Sequence, residues 1–352
     1  RAAWESVAAL ELNKRLNRKY VAILVGDDRE AAPLLLYVGK KQRGNDFLAR
    51  NGLANGKLYV WVANNGDIDP EDWNGTFTAR SGKFVEIPFY RPDLAGTAGY
   101  DELGFADQDT QDALAEAAGA FKFSRPEDVH TNPGNGYQAV LASTGRGGRF
   151  PSDNWGTTYI VDVDIDRRNI KRGDIPAHLF IIYDGDDAGA GQFSHPDFGM
   201  RSPDNLVWAN DGYVYLQEDR STVVRVPKDP AGCASLADLA ERADCEARAF
   251  GGASGEEASL WKLNPESGDL TRIAQVDRTA VPAGQIDTDP LDLGDWETSG
   301  VVDISDLVKA DDDETVLFIN AQAHSLRRAD RRLYSRTRRP VPVPERRGRQ
   351  RR

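Results

Sequence analysis

Apolar residues recur along the chain in short runs rich in Val, Ile, Tyr and Phe, separated by glycine-rich and polar turns. The runs at 20–25, 34–38, 57–62, 157–166, 177–183, 213–217, 259–263 and 315–320 have the length and composition of strands. One stretch, Val161-Asp162-Val163-Asp164-Ile165-Asp166, alternates strictly, the mark of a half-buried antiparallel strand. Its aspartates are expected on a solvated face, with a cation ladder as the alternative. Helical periodicity is confined to 1–16, 109–120 and 236–249. This pattern predicts an all-β fold of short strands and tight turns, with a few short helices in insertions. Strand clusters return at roughly forty to sixty residues, which suits β-propeller blades of four strands, roughly four or more of them. A β-sandwich competes, but the chain is long for one and shows no linker between two. No domain boundary is evident before about 325.

The hydrophobic content of 40% in 352 residues is enough for a packed core. No apolar run approaches the ~20 residues that cross a bilayer. No charged and apolar leader opens the chain, which starts at Arg1; a missing start and a processed terminus are both open readings. The net charge of −12 is unevenly spread: 327–352 holds twelve arginines against Asp330 and Glu345, a surplus of +10, so the remainder sums to −22. An acidic body repels nucleic acid and membrane phosphate and suits divalent cations. No nucleic-acid or membrane partner is therefore expected. The basic segment 326–352, with Pro340, Pro342 and Pro344, is expected to be a disordered tail, either a nucleic-acid arm or an unrelated extension. Cys233 and Cys245, the only cysteines, have no zinc-site spacing; a disulfide and two free thiols both remain open.

Candidate chemistry lies where strand-like runs end. Arg125-Pro126-Glu127-Asp128, Pro203-Asp204-Asn205, Gln217-Glu218-Asp219-Arg220 and Glu297-Thr298-Ser299-Gly300 are scattered in sequence yet able to converge in a closed β fold. Such an oxygen-rich meeting point suits a hard cation such as calcium. Glu127 is a candidate ligand, with Arg125 reaching a phosphate oxygen through its planar fork; a surface salt bridge is the alternative. Adjacent carboxylates on an extended chain face opposite ways, so one of Glu218 and Asp219 faces a given site, and Glu218 is the choice. Asp204 is a ligand candidate or the start of an Asx turn. Glu297 sits below an acidic run of Asp287, Asp289, Asp292 and Asp295. His324 is either a site residue or a satisfied core histidine. Asp184-Gly185-Asp186-Asp187 does not complete an EF-hand loop. Gly145-Arg146-Gly147-Gly148 lacks the lysine of a phosphate loop. No G-x-S-x-G elbow is present.

Taken together, these segments resemble the PhoX-type alkaline phosphatases, calcium-dependent β-propeller enzymes. The resemblance rests on Gly26-Asp27-Asp28-Arg29, Tyr37-Val38-Gly39-Lys40-Lys41, Asn51-Gly52-Leu53 and Gly56-Lys57-Leu58-Tyr59. It continues through 124–128 to Ala142-Ser143-Thr144-Gly145, then Pro203-Asp204-Asn205-Leu206, Gln217-Glu218-Asp219, Glu297-Thr298-Ser299-Gly300-Val301 and Gln322-Ala323-His324. It covers about 1–325 and implies a partial copy of the propeller there, because Arg1-Ala2-Ala3-Trp4-Glu5 is similar to the interior of a family member. It further implies a calcium and iron centre with Glu127, Asp204, Glu218 and Glu297 as metal ligands and Arg125 on the substrate phosphate. The implied activity is metal-dependent hydrolysis of small phosphate monoesters by a monomer in the periplasm or outside the cell. A non-catalytic calcium-stabilised propeller and an inactive fragment are the competing readings.

Overall fold

The computed structural model describes residues 4–44, 46–145, 149–194, 196–219, 257–290, 294–309, 311 and 314–328. Nineteen strands are present among them. The first eleven are β1 (Trp4–Ala9), β2 (Tyr20–Asp27), β3 (Glu30–Pro33), β4 (Leu35–Lys40), β5 (Gly56–Ala63), β6 (Ala79–Ile87), β7 (Lys122–Ser124), β8 (Pro126–Thr131), β9 (Gln138–Ser143), β10 (Thr157–Val163) and β11 (Asp174–Asp184). The rest are β12 (Pro203–Trp208), β13 (Val214–Glu218), β14 (Ser259–Leu263), β15 (Leu270–Gln275), β16 (Gln285–Asp287), β17 (Glu297–Asp303), β18 (Leu317–Gln322) and β19 (Leu326–Arg328). Helices are short: α1 (Lys14–Asn17), α2 (Phe47–Asn51), α3 (Gln108–Ala117) and α4 (Arg167–Arg172) come first in the chain.

Nine strands form one antiparallel sheet in the order β1-β2-β4-β5-β6-β11-β10-β9-β8. The sheet nearly closes on itself. Thr131 Oγ1 on β8 donates to the Ala9 carbonyl on β1 at 2.9 Å, and Ser6 Oγ donates to the Asp128 carboxylate. The fold is therefore all-β and propeller-like, as the strand pattern predicts. A second sheet of four strands, β12-β13-β14-β15, packs against the first through Val140, Ala142, Leu206 and Trp208, and two-strand ribbons β16-β19 and β17-β18 follow. Strand β19 carries paired structure to Arg328, while 329–352 and both cysteines lie outside the described residues.

The local reasons are readable. In β10 only Asp162 is exposed, and it bonds Gln138 across the sheet at 3.1 Å. The alternating run stops at Val163, because Asp166 instead caps α4 by accepting the Asn169 amide at 2.7 Å. Residues 1–16 hold a strand, β1, where helical periodicity is expected. The Ala- and Leu-rich composition is overridden because Val7, Ala8 and Ala9 pair with Val25, Leu24 and Ile23 of β2. One core cluster is aromatic: Trp61, Trp73, Phe121, Phe123 and Tyr159 meet with ring centroids 4.8 to 6.3 Å apart.

One glycine sets the approach of β2 to β8. A Cβ on Gly26 would lie 2.0 Å from the Glu127 carbonyl oxygen, so only glycine lets the two backbones touch there. Gly26→Ala is expected to cost about 1–3 kcal/mol, read as a lowered urea midpoint at unchanged slope. A loss below about 0.5 kcal/mol would show that the contact is not tight.

At the ends of β10 and β11, four aspartates cap loops. Asp184 Oδ2 accepts the Gly75 amide at 2.7 Å, Asp186 Oδ2 the Trp155 amide at 2.9 Å, and Asp187 the Thr76 amide at 2.7 Å. Asp153 is fully buried, with Oδ1 on Thr157 Oγ1 at 3.0 Å. Burial, then the neighbouring carboxylates, pushes Asp153 well above the usual carboxylate range. Burial is also the main cause that raises Asp184 to about 6 and Asp186 to about 7. A carboxyl raised in the folded state binds its proton more tightly there than in the unfolded chain. Its contribution to stability is thus lost as pH rises from about 4 towards 7. In chelator, the melting temperature should fall over that window, and Asp186→Asn should flatten the slope.

Candidate metal centre

β2 ends at Asp27, and the next two residues divide labour. Arg29 clamps the buried Asp27 with Nε at 3.0 Å and Nη2 at 2.8 Å, and binds Asp112 of α3 with both terminal nitrogens at 2.8 Å. This double fork fixes the turn and leaves Asp28 facing the other way. There it accepts from Arg125 Nε at 2.9 Å.

Arg125 occupies the one-residue corner between β7 and β8 in a left-handed backbone conformation, φ 63°. A residue before proline ordinarily avoids that region, so the corner stores strain of about 1–3 kcal/mol. The corner is held by bonds on both sides. The Thr144 amide donates to the Arg125 carbonyl at 2.9 Å, and the Gly145 amide and Ser143 Oγ donate to the Ser124 carbonyl at 2.8 Å each. So placed, the half-buried guanidinium meets three carboxylates: Asp28, Glu127 with Nη2 to Oε1 at 2.5 Å, and Asp219 with Nη1 to Oδ2 at 3.5 Å.

Glu127 is buried at the start of β8, and its Oε1 makes no aligned hydrogen bond although the guanidinium approaches it. Asp204, buried at the start of β12, and Asp28 both lie against the Glu127 carboxyl. Burial, then the Asp204 charge, pushes Glu127 strongly upward, and burial raises Asp204 to about 7. Glu5 of β1 is raised by burial and then by Asp28. Gathering this much negative charge is unfavourable unless positive charge balances it.

Oxygens of Glu5, Asp28 and Glu127 all lie within 4.8 Å of one another. An all-carboxylate set that includes a buried oxygen with no aligned hydrogen bond fits a hard cation such as calcium. Of the five residues singled out at strand ends, Arg125, Glu127 and Asp204 lie together. The structure adds Glu5, Asp28 and Asp219, which the strand-end motifs do not single out as ligands.

Glu218 is elsewhere. Its carboxylate is fully buried and accepts from the Arg201 amide at 2.9 Å, Arg201 Nε at 3.2 Å and Nη2 at 3.1 Å, and the Ser259 amide at 2.7 Å. Opposite facing of neighbours on the chain is correct, but the phase is reversed: Asp219 turns to Arg125 and Glu218 to Arg201. Glu297 begins β17, with Oε1 3.0 Å from His324 Nε2. It is not one of the three gathered carboxylates, although the next residue, Thr298, bonds the Glu218 carbonyl at 3.1 Å. His324 thus faces the Glu297 carboxylate from the turn between β18 and β19 rather than filling the core.

The family model for alkaline phosphatase PhoX matches residues 6–244. The chain belongs to the PhoX alkaline phosphatase family. Among solved structures it is similar to Pseudomonas fluorescens PhoX in complex with vanadate, a transition state analogue. The TM-score is 0.50 at 17% identity, over 86% of this chain and 46% of that chain, a likeness of fold. The chain thus spans about half the length of that PhoX. No curated protein matches it. The PhoX family match contains Arg125, Glu127 and Asp204, together with Asp28 and Asp219; Glu5 lies one residue before it.

The opposite facing of Glu218 and Asp219 separates two roles. Glu218→Ala removes a buried carboxylate partner of Arg201 together with the acceptor of the Ser259 amide, and is expected to cost about 3–5 kcal/mol. Asp219→Ala relieves crowding of negative charge and should change stability by less than about 1 kcal/mol. Urea denaturation of the two variants checks this; equal losses would show that both carboxylates are structural.

Proposed function

We propose that this chain hydrolyses small phosphate monoesters with the help of bound metal ions held by Glu5, Asp28 and Glu127, with Asp204 completing the set. The observation that supports this most directly is Arg125, held in a strained conformation at the centre of convergent carboxylates. Its fork matches the geometry of phosphate oxygens. Asp28, Asp219 and Glu127 orient that fork; an arriving phosphate would take over one of its edges. A bound cation supplies Lewis acidity and a water of lowered pKa. Calcium suits the oxygen-only donors, and iron is the second metal we propose. The reaction then needs no side-chain nucleophile. We further propose that the protein works as a monomer in the periplasm or outside the cell; no helix among the described residues is long and apolar enough to cross a membrane.

A second reading has its own support. Glu5, Asp28 and Glu127 come from β1, the turn after β2, and β8, so a cation there would staple the seam of the sheet without any turnover.

Release of a chromogenic alcohol from a generic phosphomonoester, with calcium and with chelator, tests the proposal. Turnover should need the metal, fall about 10²–10³-fold in Arg125→Ala, and vanish in Glu127→Gln. A calcium-induced rise in melting temperature with no turnover would overturn the enzymatic reading and favour the staple.

A further inference from the structure

The opposite end of β2 carries a different chemistry. Its eight residues place about 23 Å of extended chain between Asp27 and Tyr20. At the Tyr20 end, the loop from β1 to β2 and the loop from β10 to β11 enclose a concave pocket of about 600 Å³. Arg15, Lys19, Arg167, Arg168 and Lys171 line it, and all five are exposed. Among the described residues none of the five forms an ion pair, whereas neighbouring Arg172 faces the Asp174 carboxylate at 3.9 Å. The single acid of the lining, Asp166, is occupied as the cap of α4, accepting the Asn169 amide at 2.7 Å. The pocket therefore holds five positive charges against one negative charge, on a body whose charge before residue 327 sums to −22.

We propose that this pocket binds a compact soluble polyanion bearing several phosphate or sulfate groups. Five cations fed by two loops concentrate potential in one concavity, which draws multivalent anions in preference to monovalent ones. The acidic body around it disfavours a long polyanion such as a nucleic acid, and the exposed lining offers no large apolar side chain to enter a bilayer. The inference does not depend on the phosphatase reading.

Calorimetry of the full chain with sucrose octasulfate and with inositol hexakisphosphate, at low and at physiological ionic strength, tests it. The sulfate probe resists phosphatase chemistry, so its binding is read apart from turnover. Both probes should bind, weaken steeply with salt, and bind far more tightly than inorganic phosphate. The triple variant Arg167→Gln, Arg168→Gln, Lys171→Gln and the double variant Arg15→Gln, Lys19→Gln should each lose at least about tenfold in affinity. All five side chains are exposed, and a melting curve confirms that each variant folds; either one suffices should the other not. Unchanged affinity in both would point to the arginines of 327–352 and overturn the proposal. Binding only to phosphatidylserine vesicles, and to neither soluble probe, would overturn it as well.

Discussion

Negative charge gathered out of water is the constraint on which this molecule turns. Glu127 and Asp204 are buried, Asp28 and Asp219 stand beside them, and Arg125 is the cation that reaches in among them. One guanidinium cannot balance four carboxylates in a poorly solvated corner. Either protons or further cations must make up the difference, and the raised carboxyls of Glu127 and Asp204 express the first of these. A fold that places acids in this way at the ends of β2, β8, β12 and β13 is arranged to receive positive charge.

The remaining elements hold that arrangement against its own repulsion. Gly26 lets β2 touch the backbone of Glu127, so Asp28 cannot drift away from it. The Arg29 fork pins Asp27 to α3 and, through the chain, pins Asp28. On the far side, Arg201 and Ser259 hold both oxygens of Glu218, which orients Asp219 by default. Asp128 does for β8 what Glu218 does for β13. Facing away from the cluster, it accepts from Ser6 of β1 and from the Leu206 amide of β12, tying three strands together. In each adjacent acidic pair one carboxylate is structural and the other faces the site.

Much of this is legible in the amino-acid sequence. The Val- and Ile-rich runs at 20–25, 57–62 and 177–183 fall inside β2, β5 and β11, because strand composition and hydrophobic burial agree there. The motifs at strand ends point to Arg125, Glu127 and Asp204, which lie together, and equally to Glu218 and Glu297, which do not join them. Two things stay hidden. The helical periodicity of 1–16 conceals Glu5, which joins the cluster because Trp4 pairs with Asp27 and places its neighbour beside Asp28. The phase of Glu218 and Asp219 is also out of reach. Period-two alternation says that they differ, but only β14, pairing on one side and presenting the Ser259 amide, decides which one turns inward.

The two readings of the cluster share one physical consequence. Its three gathered oxygens belong to β1, to the turn after β2 and to β8, the elements that meet where the nine-stranded sheet nearly closes. A cation held there would sit beside Arg125 and at the seam of the sheet at once. Its binding free energy would be shared between closing the sheet and presenting positive charge. The strained corner at Arg125 fits the same logic. A left-handed residue before proline persists only if its surroundings over-determine it, and here the bonds from Ser143, Thr144 and Gly145 do so from β9 and the residues that follow it. The guanidinium is thereby fixed before any ligand arrives, which is what electrostatic preorganisation requires.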